Sequence, residues 1–203
     1  MITALKLPII RKIVTLLPVL FIVFNSYAQK NSALATKLLF RNIKTTLTAA
    51  EKSQLFTKTG FILSKDNKQF AFADDPGSLE YPFDVTVLPA DLNNDGKEEL
   101  FLIFGNSYTS GNTGSNVLLF IKDKQGTYQS NFGFSGATPI IMPTKNLGFP
   151  ELLIGGPGFE FPVWRWNGKE YVFNRKITEK SLSKIQTVNA EDASKIYTAA
   201  IKQ

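Results

Sequence analysis

The side chains best suited to chemistry are the oxygens of one short acidic segment, residues 91–100, which reads DLNNDGKEEL. Oxygen-bearing side chains stand at its first, third, fifth and ninth positions, and Gly96 stands at the sixth. Calcium prefers six to eight oxygen ligands, and short Asp and Asn side chains at alternate positions can surround one ion. Glycine permits a sharp reversal of the backbone, which would turn the next carbonyl toward the same point. The segment therefore predicts a calcium cofactor whose ligands are Asp91, Asn93, Asp95, Glu99 and the carbonyl of Lys97.

A solvated Asn-Asp-Gly turn between two strands is a simpler interpretation of the same residues. Such a turn does not need carboxylates at Asp91 and Glu99, however, and carboxylates that converge without a cation repel one another. We therefore interpret the loop as a metal site. Its expected dissociation constant is of the order of 10⁻⁴–10⁻³ M, as in many extracellular calcium modules.

The composition removes most other catalytic chemistry, because the chain contains no histidine and no cysteine. Without them the protein cannot build Ser-His-Asp or Cys-His nucleophile systems, or zinc sites that use imidazole or thiolate. Among the carboxylates that remain, Glu151 and Glu160 form the one pair considered for glycoside hydrolysis, since two tryptophans follow them. The sequence thus favours a protein that is not an enzyme.

Aromatic residues concentrate around a turn rich in glycine and proline. The candidates for ligand binding there are Phe159, Trp164, Trp166 and Tyr171. Because side chains alternate along a strand, the two tryptophans share one face, which is either part of the core or an exposed platform. An exposed platform would suit a carbohydrate or a protein. The loop 106–116, rich in Gly, Ser, Thr and Asn, is a second candidate surface.

Residues 1–28 have the three-part organisation of a secretory signal peptide. A start with three basic residues precedes an uncharged stretch, 13–24, and the small residues Ser26 and Ala28 occupy the −3 and −1 positions. The uncharged stretch is shorter than the roughly 20 apolar residues that span a bilayer. We therefore expect cleavage after Ala28 and a periplasmic or secreted product without a membrane segment.

Loss of the signal peptide would remove three basic residues and lower the net charge from +6 to +3. No cluster of Lys and Arg of the kind that follows a phosphate backbone occurs in the sequence. Nucleic acid is therefore not an expected partner. The expected partner is an extracellular or periplasmic protein or a carbohydrate.

The remaining residues, 29–203, are predicted to form one domain of the α+β class, mainly β with flanking helices. In the helical segment 29–60, Thr48 and Glu51 have the spacing of a capping box, which predicts a helix from residue 49 to about residue 57. The β region, 61–177, begins with a hairpin at 61–72. Eight further strands are predicted at 85–88, 100–104, 117–121, 127–129, 140–142, 152–154, 163–166 and 171–173. The strand 100–104 is apolar on both faces and should be buried on both.

The C-terminal segment, 178–203, is predicted to contain an amphipathic helix that docks on the sheet. Asn189, three residues before Asp192, is its expected N-cap. A partner-binding helix is the alternative. The predicted apolar stripe has helical spacing and consists of Ala193, Ile196, Tyr197, Ala200 and Ile201.

An internal repeat is visible when the strands are aligned. Residues 99–102 (ELFL) match residues 151–154 (ELLI), and Gly96 aligns with Gly148. A loop and a hairpin follow in both copies. The β region is therefore predicted to be an antiparallel sheet of two copies of one unit.

The spacing D-x-N-x-D-G-x-x-E-L, running directly into a strand, resembles the calcium loop of FG-GAP and VCBS-type repeats. An EF-hand is excluded, because Leu102 stands where its bidentate glutamate would be. FG-GAP and VCBS repeats build β-propeller blades in extracellular adhesion and recognition proteins, so the resemblance implies two blade-like units and the ligand positions given above. In the second copy Pro143, Lys145 and Leu147 replace the oxygen ligands, and two units alone cannot close a propeller.

These features predict an exported, non-enzymatic, calcium-binding recognition or interaction domain. The alternative is a small secreted hydrolase that acts on glycans through carboxylates and uses calcium only for structure. An exposed aromatic patch would favour the first function. A deep cleft that pairs two carboxylates would favour the second.

Overall fold

Antiparallel strands make up most of the described chain, and helices flank them in the sequence, which confirms the predicted mainly β class. The structure is a computed structural model that describes residues 31–156 and 158–201. The predicted signal peptide and its cleavage site after Ala28 lie outside these residues. In the part of the chain described, no helix has the length and apolar character needed to span a membrane.

The N-terminal part consists of two helices and a hairpin. Helix α1 covers residues 31–39, α2 covers Ala49–Thr59, and the hairpin pairs β1 (Phe61–Leu63) with β2 (Phe70–Phe72). The predicted capping box is present: Thr48 Oγ1 accepts the Glu51 N–H at 3.2 Å, and the Glu51 carboxylate accepts the Thr48 N–H at 2.8 Å. A short 3₁₀ helix, Pro76–Leu79, leads from the hairpin toward the first sheet.

The first sheet contains four strands that follow one another in the sequence. They are β3 (Val85–Ala90), β4 (Glu99–Phe104), β5 (Asn116–Lys122) and β6 (Tyr128–Ser135), each antiparallel to the next. The short helix α3 (Ser107–Ser110) and a 3₁₀ turn, Gly111–Thr113, lie between β4 and β5. β4 is paired with β3 on one side and β5 on the other, and both of its faces are covered, as predicted. It is therefore the most buried strand of this sheet.

The second sheet repeats this arrangement. Its strands β7 (Ile140–Asn146), β8 (Phe149–Leu153), β9 (Glu160–Trp166) and β10 (Tyr171–Thr178) pair in sequence order, and the two-residue strand β11 (Val188–Asn189) pairs with β7 at the edge. All eight predicted strands are present and each is longer than predicted, although β6 begins one residue later and β8 ends one residue earlier than expected. These eight strands form two sheets, rather than the single sheet that the sequence suggested. Membership of the FG-GAP or VCBS families stays a prediction.

The first sheet lies between two hydrophobic clusters. Leu100, Leu102 and Phe104 of β4 face the N-terminal helices and hairpin. Phe101, one residue out of phase, faces the second sheet and shares a cluster with Leu152 and Trp166. A third, smaller cluster lies on the far side of the second sheet around Met142, Leu153 and Val163.

The C-terminal segment contains more than the predicted helix. After β10 come the single turn α4 (Glu179–Leu182), then β11, then α5 (Ala190–Ala200). Asn189 caps α5 as predicted, since its side-chain oxygen accepts the Asp192 N–H at 2.8 Å. The predicted docking stripe is wrong in part: Ala190 and Ser194 are buried, whereas Ile196 is 69% exposed. The helix lies beside β3, where small side chains allow a close approach.

Candidate functional site

The acidic segment forms the connection between β3 and β4, and its side chains fold back on its own backbone. Asp91 accepts the Asp95 N–H at 3.0 Å with Oδ1 and the Gly96 N–H at 2.9 Å with Oδ2. Asn93 Oδ1 also accepts the Asp95 N–H, and Asp95 Oδ1 accepts the Lys97 N–H. Gly96 has φ 80°, the left-handed conformation that its sequence position predicted. The loop therefore holds the oxygens of Asp91, Asn93 and Asp95 close to one another.

Glu99 is the first residue of β4, and its carboxylate is buried at the base of this loop. The residue is 2% exposed, and its Oε2 accepts the Leu92 N–H at 2.8 Å. Burial raises the pKa of Glu99 to about 8, and the negative charges of Asp95 and Asp91 act in the same direction, against the Leu92 hydrogen bond and the Lys97 charge. Without a cation, Glu99 is therefore protonated at neutral pH.

The predicted ligands are gathered only in part. Within the described residues, no three or more Asp or Glu side chains lie close enough together to hold a metal ion on carboxylates alone. A metal bound here would accordingly also need the Asn93 amide oxygen and the Lys97 carbonyl. The Lys97 ammonium lies 3.7 Å from Asp95 Oδ2, where it offsets part of the loop's negative charge. All the donors are oxygens, as a hard cation requires.

A cleft of about 750 Å³ opens beside the loop, between one end of the first sheet and one end of the second. The loop contributes one wall, and the β5–β6 and β9–β10 turns contribute the others. Its lining includes Asp95 and Glu99, Lys122 and Lys124, and the edges of Phe149 and Trp166. A volume of this size is within the range of small-molecule sites.

The β7–β8 connection, which the sequence alignment matched to the acidic loop, has no equivalent of it. Leu147 and Gly148 make a two-residue turn between β7 and β8, with φ 50° and 89°. Glu151, aligned with Glu99, is 1% exposed, but its surroundings differ. It accepts hydrogen bonds from Arg165 Nε at 2.8 Å and Arg175 NH1 at 2.9 Å, and further ones from Thr144 and Asn174.

These bonds decide the charge of Glu151. Burial alone would raise its pKa, but the hydrogen bonds from Thr144, Arg175 and Arg165 outweigh burial and hold the pKa below its usual range. Glu151 is therefore an ionised structural carboxylate that links β7, β8, β9 and β10. Because Glu151 is ionised, it does not supply the proton donor that glycoside hydrolysis needs.

The four aromatic candidates do not form one platform. Trp166 and Tyr171 are buried, and the Tyr171 hydroxyl donates to the Pro150 carbonyl at 2.8 Å. Trp164 is partly buried and stacks on Phe134, with ring centroids 4.9 Å apart. Phe159 alone among the four is well exposed, at 91%. The alternation of side chains along β9 correctly predicted that both tryptophans share one face. The first sheet covers most of that face.

Two features of the structure were missed by sequence reasoning. Glu98 is 1% exposed and accepts hydrogen bonds from the Thr45 hydroxyl, the Thr46 N–H and the Tyr197 hydroxyl, so it ties the loop to both ends of the described chain. Tyr81 and Tyr108 form an exposed stacked pair. The signal in the sequence is that Tyr108 is the one aromatic residue in the uncharged segment 105–116.

Comparison with models of protein families, with curated proteins and with solved structures gives no match to this chain.

Proposed function

We propose that this protein is an exported, non-enzymatic recognition domain whose β3–β4 loop binds one calcium ion. The observation that carries the proposal is the position of Glu99: a carboxylate buried beside Asp91 and Asp95, at the base of a loop whose other polar donors are oxygens. A buried carboxylate that faces two others is unfavourable unless it is protonated or a cation binds.

Calcium would supply that cation. Asp91, Asn93, Asp95, Glu99 and the Lys97 carbonyl would hold it, and the ion would neutralise the loop. The residues of the loop would then fix the wall of the cleft and the start of β4. Since binding occurs to the folded chain, calcium would stabilise the fold by up to about 2.7 kcal/mol at 100-fold excess over the dissociation constant.

Thermal unfolding in calcium and in chelator tests this proposal. We expect calcium to raise Tm, and we expect Asp95→Asn to remove most of that difference. This substitution keeps an oxygen that can accept the Lys97 N–H, but it removes the negative charge and replaces the second oxygen with an amide NH2 group. Glu170→Gln, on another wall of the same cleft, is the matched control and should respond to calcium like the original protein. Superimposable curves in calcium and chelator would refute the proposal.

One loop of each sheet that was predicted to take part in partner binding lies next to the other, which supports a recognition role. The connection between β4 and β5 and the connection between β8 and β9 project from the same end of the two sheets, opposite the calcium loop. There the Gly156 backbone lies against the Thr113 methyl group. The partner would be an extracellular or periplasmic protein or a carbohydrate, and it would meet loops from both sheets.

A glycan hydrolase is the second candidate, because the cleft brings two carboxylates, Asp95 and Glu99, to one concave surface. In this reaction one carboxylic acid would donate a proton to the leaving oxygen while the other carboxylate takes one from the attacking water. Incubation with neutral polysaccharides, followed by an assay for new reducing ends, tests it. No release above that of Glu99→Gln would eliminate the hydrolase.

A further inference from the structure

An exposed pair of tyrosines is formed by Tyr81, in the loop before β3, and Tyr108, in the short helix α3 after β4. The rings of Tyr81 and Tyr108 are stacked, with centroids 4.6 Å apart and planes 16° from parallel. The two residues are 55% and 47% exposed. Exposures near one half are expected when each ring has one face covered by its partner and the other face open to solvent.

The pair is held by the Asn106 side chain. Asn106 Nδ2 donates to the Tyr81 carbonyl at 2.9 Å and to the Pro82 carbonyl at 3.2 Å, while Asn106 Oδ1 accepts the Tyr108 N–H at 3.0 Å. One amide therefore joins two loops that are 25 residues apart. Because the backbone of both tyrosines is fixed, a ligand that stacks on a ring would meet a prepared surface.

Gly77 makes room for the pair. A β-carbon at this position would lie 2.5 Å from the Tyr108 hydroxyl, which is closer than such atoms approach. The same hydroxyl lies 3.5 Å from Asp75 Oδ1. Tyr108 is thus placed by contacts on its backbone and on its hydroxyl, although its ring contributes little to the core.

The charges nearby select the class of ligand. Residues 74–84 contain four acidic residues, Asp74, Asp75, Glu80 and Asp84, and no Lys or Arg, and residues 105–116 carry no charge. Lys65 pairs with Glu80 and offsets one of these charges, which leaves three. Such a surface repels phosphates, sulfates and anionic lipids. Two half-exposed rings are also much smaller than the roughly 800 Å² that each partner contributes to a stable protein interface.

We propose that Tyr81 and Tyr108 form a binding platform for an uncharged carbohydrate. The face of an aromatic ring is electron-rich and attracts the weakly positive C–H groups on the flat side of a pyranose ring. Sugar hydroxyls next to the platform would donate to the carboxylate of Asp75, which lies beside the Tyr108 hydroxyl and needs no cation for this. The inference deepens the proposed recognition role by naming the ligand class, but it does not depend on calcium.

Migration in native gels that contain a neutral polysaccharide tests the platform. The probes are hydroxyethylcellulose, laminarin, xylan and galactomannan, each used with calcium and with chelator. We expect at least one of them to retard the protein in both conditions. Tyr81→Ala and Tyr108→Ala should raise the polysaccharide concentration needed for that retardation at least tenfold. Gly77→Ala keeps both rings but displaces the Tyr108 hydroxyl, and it should also raise this concentration. Phe173→Ala, which removes an exposed aromatic side chain from the second sheet, is the matched control and should bind normally.

Two outcomes would overturn the platform: no retardation by any of the four polysaccharides, or equal retardation of the tyrosine variants and the original protein. Tm of each variant identifies those that fail to fold, and the comparison then uses only the variants that fold. Retardation that is insensitive to calcium, together with an unchanged Tm in calcium, would refute the metal loop and leave the platform standing. A calcium-dependent Tm without retardation would support the metal loop and refute the platform.

Discussion

Glu99 is the residue whose energetics depend most on its surroundings. Its pKa rises from 4.5 to about 8, first because it is buried and then because Asp95 and Asp91 face it, while Lys97 and the Leu92 N–H act in the opposite direction. Burial raises the pKa values of the Tyr128 and Tyr171 hydroxyls, from β6 and β10, and the negative charge of Glu99 acts in the same direction on both. Between pH 4.5 and 8 the folded chain holds a proton that the unfolded chain has lost. Without a cation, stability should therefore fall as the pH rises through this range.

Glu99→Gln should remove this pH dependence. In the original protein, in chelator, the free energy of unfolding should decrease by up to about 1.4 kcal/mol per pH unit between the two pKa values. The variant carries no titrating group at this position, so its slope should be smaller and it should be the more stable protein at pH 8.5. Urea unfolding at pH 5, 7 and 8.5 measures the difference. Parallel pH profiles for the two proteins would contradict the assignment.

Calcium affinity should increase with pH, whereas the stability of the protein in chelator should decrease. The metal requires an ionised Glu99, so below about pH 8 each binding event must release the proton, and affinity should drop by up to tenfold per pH unit. Calorimetry in two buffers with different ionisation enthalpies counts the protons released, and close to one is expected at pH 6.5. Glu99→Gln should bind calcium weakly at pH 6 and at pH 8, and it should release no proton on binding. Equal affinity at pH 6 and pH 8 in the original protein would exclude Glu99 as a ligand.

At this scale the sequence predicted what depends on local spacing and missed what depends on distant partners. The turn at Gly96 followed from the segment itself, because a sharp reversal needs glycine. Glu98 looked like one more charge in an acidic loop. Its hydrogen-bond partners Thr45 and Tyr197 are 53 and 99 residues away, and no local pattern indicates them.

Among the elements, α2 is the one whose start is most fully encoded in the sequence. Thr48→Ala removes the hydroxyl that accepts the Glu51 N–H, and it should cost about 1 kcal/mol of unfolding free energy. Thr57→Ala, in the exposed last turns of the same helix, is the control and should change stability by less than about 0.5 kcal/mol. Chemical unfolding of both variants provides the comparison. A smaller effect at Thr48 than at Thr57 would show that packing alone fixes the start of the helix.

Strand positions could be predicted, but strand ends and the docked face of α5 could not. The segment 140–142 was expected as a short strand, yet β7 continues to Asn146, because Lys145 and Asn146 pair with Pro150 and Phe149 across the turn. In α5 the apolar stripe includes Ile196, but a close approach to β3 favours the face that carries Ala190 and Ser194. Both differences come from the neighbouring element, which an apolar pattern does not specify.

For the whole molecule, the order of the layers is the property that the sequence leaves open. Alternation shows that Leu100 and Phe101 face opposite ways, but it does not show that the N-terminal helices cover one face and the second sheet covers the other. The structure places Phe101 of β4 and Trp166 of β9 in one shared cluster. The two sheets should therefore unfold together, since separation would expose this cluster on both.

Both tryptophans lie in β9, so fluorescence reports on the second sheet, whereas far-UV circular dichroism reports on the whole chain. We expect the two signals to give one denaturation midpoint. Phe101→Leu, a substitution in the first sheet that keeps an apolar side chain at a fully buried position, should lower both midpoints together, with a cost of about 1 kcal/mol. Val172→Ala, at a 37% exposed site of β10, should leave both midpoints nearly unchanged. A fluorescence midpoint that stays fixed while the dichroism midpoint falls would mean that the second sheet is stable without the first, and that the shared cluster does not couple them.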